Sequence, residues 1–205
     1  MSLKLGIYDF FAYTIPGGLV LIILFGTLEL SNVSELISFV GELSFTKLFI
    51  FAICAYLNGF IFDSIISKWA KIYQKKDFVG YAFAEFKDKY PKRELRFDPY
   101  EYPIWIAGMR RENLDLAIEI DRFMALSKMV RGVAFALQFG GLVIIILSIF
   151  TSISLWFILL GIILVFLSII TVNQSKKFHK WYYWVIFETI LSLNGEFQIM
   201  NQITE

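Results

Sequence analysis

Cysteine and histidine are almost missing from this chain: Cys54 is the only thiol and His179 the only imidazole among 205 residues. One cysteine excludes a disulfide framework, and the two residues together exclude a Cys/His zinc cluster and an HExxH metal site. Charge is scarce as well. Asp, Glu, Lys and Arg make up 18% of the residues, against a usual share of about 25%. The formal net charge is +1, so no surplus of either sign advertises nucleic acid as a ligand. No GxSxG nucleophile elbow is present, and Gly17-Gly18 lacks the Lys-Ser/Thr continuation of a phosphate-binding loop. No arginine stands a few residues before His179, which excludes a ribonuclease pair of that kind. These absences disfavour an enzyme, a metal site and a bound cofactor.

What the chain has in excess is apolar surface. Hydrophobic residues account for 58%, against about 45–50% in soluble domains, and they include 22 Phe, 10 Tyr and 5 Trp. Such a composition cannot be disordered, and a soluble globule of this size could not bury it. Four stretches are long enough to cross a hydrocarbon core of about 30 Å. The first, Phe10–Leu28, has nineteen residues without a charge. The second, Leu48–Ile66, is interrupted only by Asp63. The third and fourth, Gly132–Phe150 and Leu155–Val172, lie in a run of forty-four residues with no ionisable group, with 151–154 as the turn. Residues 142–150 and 155–170 are apolar on every side, whereas a soluble helix needs a polar stripe. The first stretch does not read as a cleaved signal peptide, because only Lys4 precedes it and Pro-Gly-Gly sits at its centre.

Basic residues orient these spans. Of 19 Lys and Arg, Lys47 alone falls in 29–47 or 151–154. Fourteen lie in 67–131, and Lys4, Lys176, Lys177 and Lys180 flank the outer spans. Short basic loops stay in the cytoplasm. Both termini and the segment 67–131 are therefore expected inside. The fold class is all-α: a four-helix transmembrane bundle with helical extensions and a cytoplasmic insert between spans two and three. Its parts are a first hairpin (1–66), the insert (67–131), a second hairpin (132–175) and a C-terminal segment (176–205).

The insert carries twelve aromatic residues that need burial, so it should fold. Ile65, Trp69 and Ile72 continue the second span at helical spacing, and Val79, Phe83, Phe86 and Tyr90 form another stripe. Lys75-Lys76-Asp77 and Gly80 mark a break between them. Pro91, Pro99, Pro103 and Gly108 predict irregular structure or a short hairpin. Leu116, Ile120, Phe123 and Val130 then resume a helical face that runs into the third span. After Lys176-Lys177, the Trp- and Tyr-rich 181–193 is too short to span, and an interfacial helix is the first expectation, with docking on the insert as the second. Residues 194–205 read as a tail, and His179 as a solvated or headgroup-facing side chain.

Few polar groups interrupt the spans. Counted from the inner end, Pro16, Asn58 and Gln138 lie about 9, 12 and 9 Å deep, which places them in one layer. Pro16 frees a carbonyl, Gly17 permits close approach, and the two amides can bond across helices. The layer reads either as a hinge or polar constriction or as helix glue. Asp9, Asp63 and Arg131 sit at the inner boundary, where charges anchor or pair. No carboxylate lies near the centre of any span, which disfavours ion-coupled transport.

The run Ile7-Tyr8-Asp9-Phe10-Phe11-Ala12-Tyr13-Thr14-Ile15-Pro16-Gly17-Gly18 resembles the opening of a broad set of small bacterial four-span membrane proteins. Ser127–Ala136 is similar to the entry of their third helix, and Phe178–Tyr183 to their aromatic-basic segment after the last span. Some of these proteins accompany anti-phage systems as CRISPR-associated accessory or effector proteins. The resemblance implies a location in a bacterial inner membrane and a role as a membrane-resident effector or a regulator of a soluble partner. Two functions are thus expected to compete. One is an oligomeric effector or pore, with Pro16, Gly17, Asn58 and Gln138 at its constriction. The other is an adaptor that recruits a soluble cytoplasmic protein through Tyr100, Tyr102, Trp105, Arg110 and Arg111. The small-residue and amide layer, together with the aromatic insert, also predicts a homo-oligomer.

Overall fold

The computed structural model describes residues 3–28, 44–73, 77–91, 98–112, 114–150 and 155–203. All regular structure among them is helical: α1 (Leu3–Leu28), α2 (Phe45–Tyr73), α3 (Phe78–Lys89), a 3-10 turn (Pro99–Glu101), α4 (Tyr102–Glu112), α5 (Leu114–Phe150) and α6 (Leu155–Ile203). The expected turn at 151–154 and most of the expected outer loop 29–47 lie outside the described residues. Four helices, α1, α2, α5 and α6, are long and apolar enough to cross a membrane. At 1.5 Å per residue, α5 and α6 run about 55 and 73 Å, well beyond a hydrocarbon core. The chain forms two compact units, Met1–Tyr73 with Ala125–Ser175 and Gln74–Met124 with Lys176–Glu205. Both α5 and α6 contribute to each unit.

The first unit is inverted relative to a soluble fold, with large apolar side chains outside and small residues inside. Ile61 and Phe166 are 67% and 62% exposed, and Leu48, Phe49, Ile53 and Phe60 share the outer surface. Ala12, Ala55, Ala70, Ala134 and Ala136 are buried. Exposed apolar area of this extent needs lipid to cover it, as expected of a multi-pass membrane protein. The helices meet where side chains are missing. A Cβ on Gly17 would overlap the Ala55 carbonyl, and one on Gly59 would overlap the Tyr13 carbonyl. Phe10 stacks on Tyr56 at 5.6 Å and Tyr13 meets Phe60 edge-on at 5.7 Å, sealing the seam between α1 and α2. A Cβ on Gly132 would come within 2.6 Å of Pro16 Cβ, and one on Gly141 within 2.6 Å of the Gly161 carbonyl. Close backbone approach of this kind supplies van der Waals contact where lipid removes the hydrophobic drive between helices.

The second unit is built like a soluble domain. Asp77 caps α3 by accepting the Gly80 amide at 2.9 Å, and the two basic residues of the last turn suit the helix dipole. Ala82, Phe86, Ile106, Met109 and Ile120 close around Tyr182, Tyr183, Ile186, Phe187 and Ile190. Val79, Phe83, Tyr90, Leu116 and Phe123 pack on the periphery of that core.

Three expectations are corrected here. The stretch with Pro99, Pro103 and Gly108 holds a regular helix, α4, in place of a hairpin. Pro103 falls in its first turn, where a missing N–H costs nothing, and burial of Ile106 and Met109 outweighs the glycine. One face of residues 182–190 is built into the core of the second unit, which is the second expectation, docking on the insert, in place of the first. Their apolar side chains, at positions 182, 183, 186, 187 and 190, are covered by α3, α4 and α5. The stretch expected as a tail continues α6 as far as Ile203.

Candidate functional site

Within the spans, the structure brings Pro16, Gly17 and Asn58 together. The Asn58 side-chain amide donates to the Gly17 carbonyl at 3.1 Å, beside the Gly17–Gly59 contact. α1 runs unbroken through Pro16, whose ring fills the space left by Gly132. Gln138 stands apart, six residues past Gly132 and about 9 Å farther along α5. Its partner is Tyr73, whose hydroxyl donates to Oε1 at 3.2 Å and accepts from Nε2 at 3.1 Å. Both amides thus serve contacts inside one chain.

Of the three boundary charges, two meet. Arg131 Nη2 lies 3.5 Å from Asp63 Oδ1 and donates to Ser67 Oγ at 3.1 Å, tying α5 to α2. Asp9, half-buried on α1, is not part of that pair. Sequence reasoning missed a further clamp. Ser127 Oγ donates to the Ser175 carbonyl at 3.2 Å, and Ser175 Oγ returns a bond to the Ser127 carbonyl at 3.0 Å. Both serines are buried, and a reciprocal serine pair of this type satisfies its own polarity as α5 and α6 pack. Its only trace in the sequence is two small polar residues near span ends.

The five residues expected to form a partner surface divide. Tyr102 stands edge-on to Tyr183 at 5.2 Å, and half-buried Trp105 packs on the core. Arg110 is spent on Asp121, with Nη2 2.9 Å from both carboxylate oxygens. Tyr100, Arg110 and Arg111 remain on the surface. The Tyr100 hydroxyl donates to Asp77 Oδ2 at 2.7 Å and its amide to Asp98 Oδ1 at 2.8 Å. That bond from Tyr100, with the Gly80 amide, holds the Asp77 carboxyl below the ordinary carboxylate range, while donation to Asp77 raises the Tyr100 hydroxyl.

Charged residues of α3 and α6 also interlock. Lys180 donates to Glu85 at 2.8 Å, Tyr90 donates to Glu188 at 2.9 Å, and Lys89 and Lys180 lie 4.6 and 4.9 Å from the Trp184 ring. These contacts join α3 to α6 through cation–π and ion-pair geometry. His179, expected toward solvent or headgroups, is stacked between Phe78 at 4.8 Å and Tyr183 at 5.2 Å. Among the described residues no group of three His, Cys, Asp or Glu could hold a metal ion. No protein family, curated protein or solved structure matches this chain.

Proposed function

We propose that this chain is a membrane adaptor of a bacterial inner membrane, holding its second unit in the cytoplasm for a soluble protein to dock. The observation that carries the reading is the use of Asn58 and Gln138. Asn58 Nδ2 is engaged on the Gly17 carbonyl and Gln138 on Tyr73, both within the chain, which favours a packing role for these amides over the lining of an aqueous path. A selective polar constriction instead turns carbonyls or charged side chains toward the conducting path. The excess of Lys and Arg in 67–131 supports the cytoplasmic side for that segment and for both termini. One histidine and one cysteine support a role without catalysis.

The competing reading, an oligomeric pore or effector of an anti-phage system, makes the opposite demands. A membrane-potential dye in cells expressing the wild type and Asn58→Leu/Gln138→Leu separates the two. The adaptor leaves the potential intact in both strains. Depolarisation by the wild type that the double variant loses would overturn it. A photo-crosslinking residue at exposed Lys87 should capture one defined soluble protein that a probe at lipid-facing Ile61 does not.

A further inference from the structure

We propose that the outer face of α4 is where a second copy of this chain docks, antiparallel and about a two-fold axis. Ile106 and Met109 turn α4 inward, which leaves Ile104, Ala107, Gly108 and Arg111 along its exposed side, with exposed Glu101 in the 3-10 turn that leads into it. Ile104 is 71% exposed, and nothing lies within 4 Å of the point where a Gly108 Cβ would stand. The face thus offers one knob and one hole, a helical turn apart. Its ends carry opposite charge, Glu101 just before the first residue of α4 and Arg111 in its last turn, about 15 Å apart at helical rise. Neither forms an ion pair among the described residues.

This pattern is complementary to itself when reversed. In a two-fold contact, a residue that touches a given position is touched in turn by its counterpart. With the axis level with Ile106, Ile104 falls opposite the partner's Gly108, and Glu101 falls opposite the partner's Arg111. Both pairings occur twice by symmetry. A parallel arrangement would set Glu101 against Glu101 and Arg111 against Arg111, so the charges select the antiparallel one. The contact is smaller than the roughly 1,000 Å² that a freely diffusing pair needs, but copies confined to one bilayer meet at high local concentration.

Ala107 stands one residue from the axis, about 3 Å along the helix from its own mate, within reach of a disulfide if the backbones close over Gly108. The test uses the full chain in native membranes with Cys54→Ala. Ala107→Cys should give a disulfide-linked dimer under mild oxidation, while Ala84→Cys, exposed on α3, should not. In the Ala107→Cys background, Glu101→Arg or Arg111→Glu alone should lower dimer formation about tenfold, since each reverses two pairs, and the two together should restore it. Equal yield from positions 107 and 84 would overturn the proposal. So would failure of the double reversal to restore the dimer, or a mixed disulfide with another protein in its place. This readout needs no soluble partner, and so it stands or falls apart from the adaptor reading.

Discussion

At the scale of single residues, the spans depend on side chains that are missing. Gly17 and Gly59 each face a neighbouring carbonyl with no room for a Cβ. Gly17→Ala or Gly59→Ala should therefore force α1 and α2 apart and cost about 1–3 kcal/mol, read as a lower Tm in mild detergent. Gly26 has nothing within 4 Å, so Gly26→Ala should be neutral or stabilising by about 0.5 kcal/mol. Equal losses at Gly26 and Gly17 would show that close packing is not the reason for glycine in α1. The Asp77–Tyr100 bond has a pH signature. A lowered Asp77 contributes stability above the unfolded carboxylate value and loses it as pH falls through the folded one. A raised Tyr100 contributes below the unfolded tyrosine value and loses it as pH rises through the folded one. Tyr100→Phe should flatten the Tm profile of the second unit at both limbs, below about pH 4 and above about pH 10. Both groups are exposed, so the effect is small in size and is identified by its two limbs.

Helices and their faces decide the next scale. Apolar period alone places 181–193 equally well on a bilayer surface or on protein, since both cover one helical face. The partner that distinguishes them, the stripe of Phe86, Ile106 and Ile120, lies about 60 to 100 residues away in sequence. Phe187 is fully buried, and Phe187→Ala should cost about 3–5 kcal/mol and open α3 and α4 to protease. On a headgroup surface the same change would leave the insert intact. Phe83 and Phe86 were legible as a helical stripe because aromatic spacing needs no tertiary information. α4 was not legible, because its prolines and glycine are turn signals whose local cost only the burial of Ile106 and Met109 offsets.

For the whole molecule, the distribution of polarity reverses between the two units. The first exposes Ile61, Trp156 and Phe166 and buries alanine and glycine, whereas the second buries Phe86 and Phe187 and exposes Lys87 and Asp88. The chain should accordingly resist alkaline extraction from membranes. A cysteine placed at Lys87 in a Cys54→Ala background should react with an impermeant maleimide only after the inner membrane is opened. Reaction in sealed cells would invert the orientation read from the basic residues.

Length and hydropathy were enough to predict an all-helical fold with four helices able to cross a bilayer, as found among the described residues. Those properties are sums over nearby residues and need no knowledge of what packs against what. The fate of each polar group was different. Asn58 and Gln138 looked equivalent by depth, yet one bonds a carbonyl on α1 and the other a tyrosine on α2. Tyr102 and Trp105 looked like surface residues and are held against the core, while Ser127 and Ser175 gave almost no signal and form a reciprocal clamp. A hydrogen bond or a buried ring depends on the position of a second group far along the chain, and only the tertiary structure supplies that position.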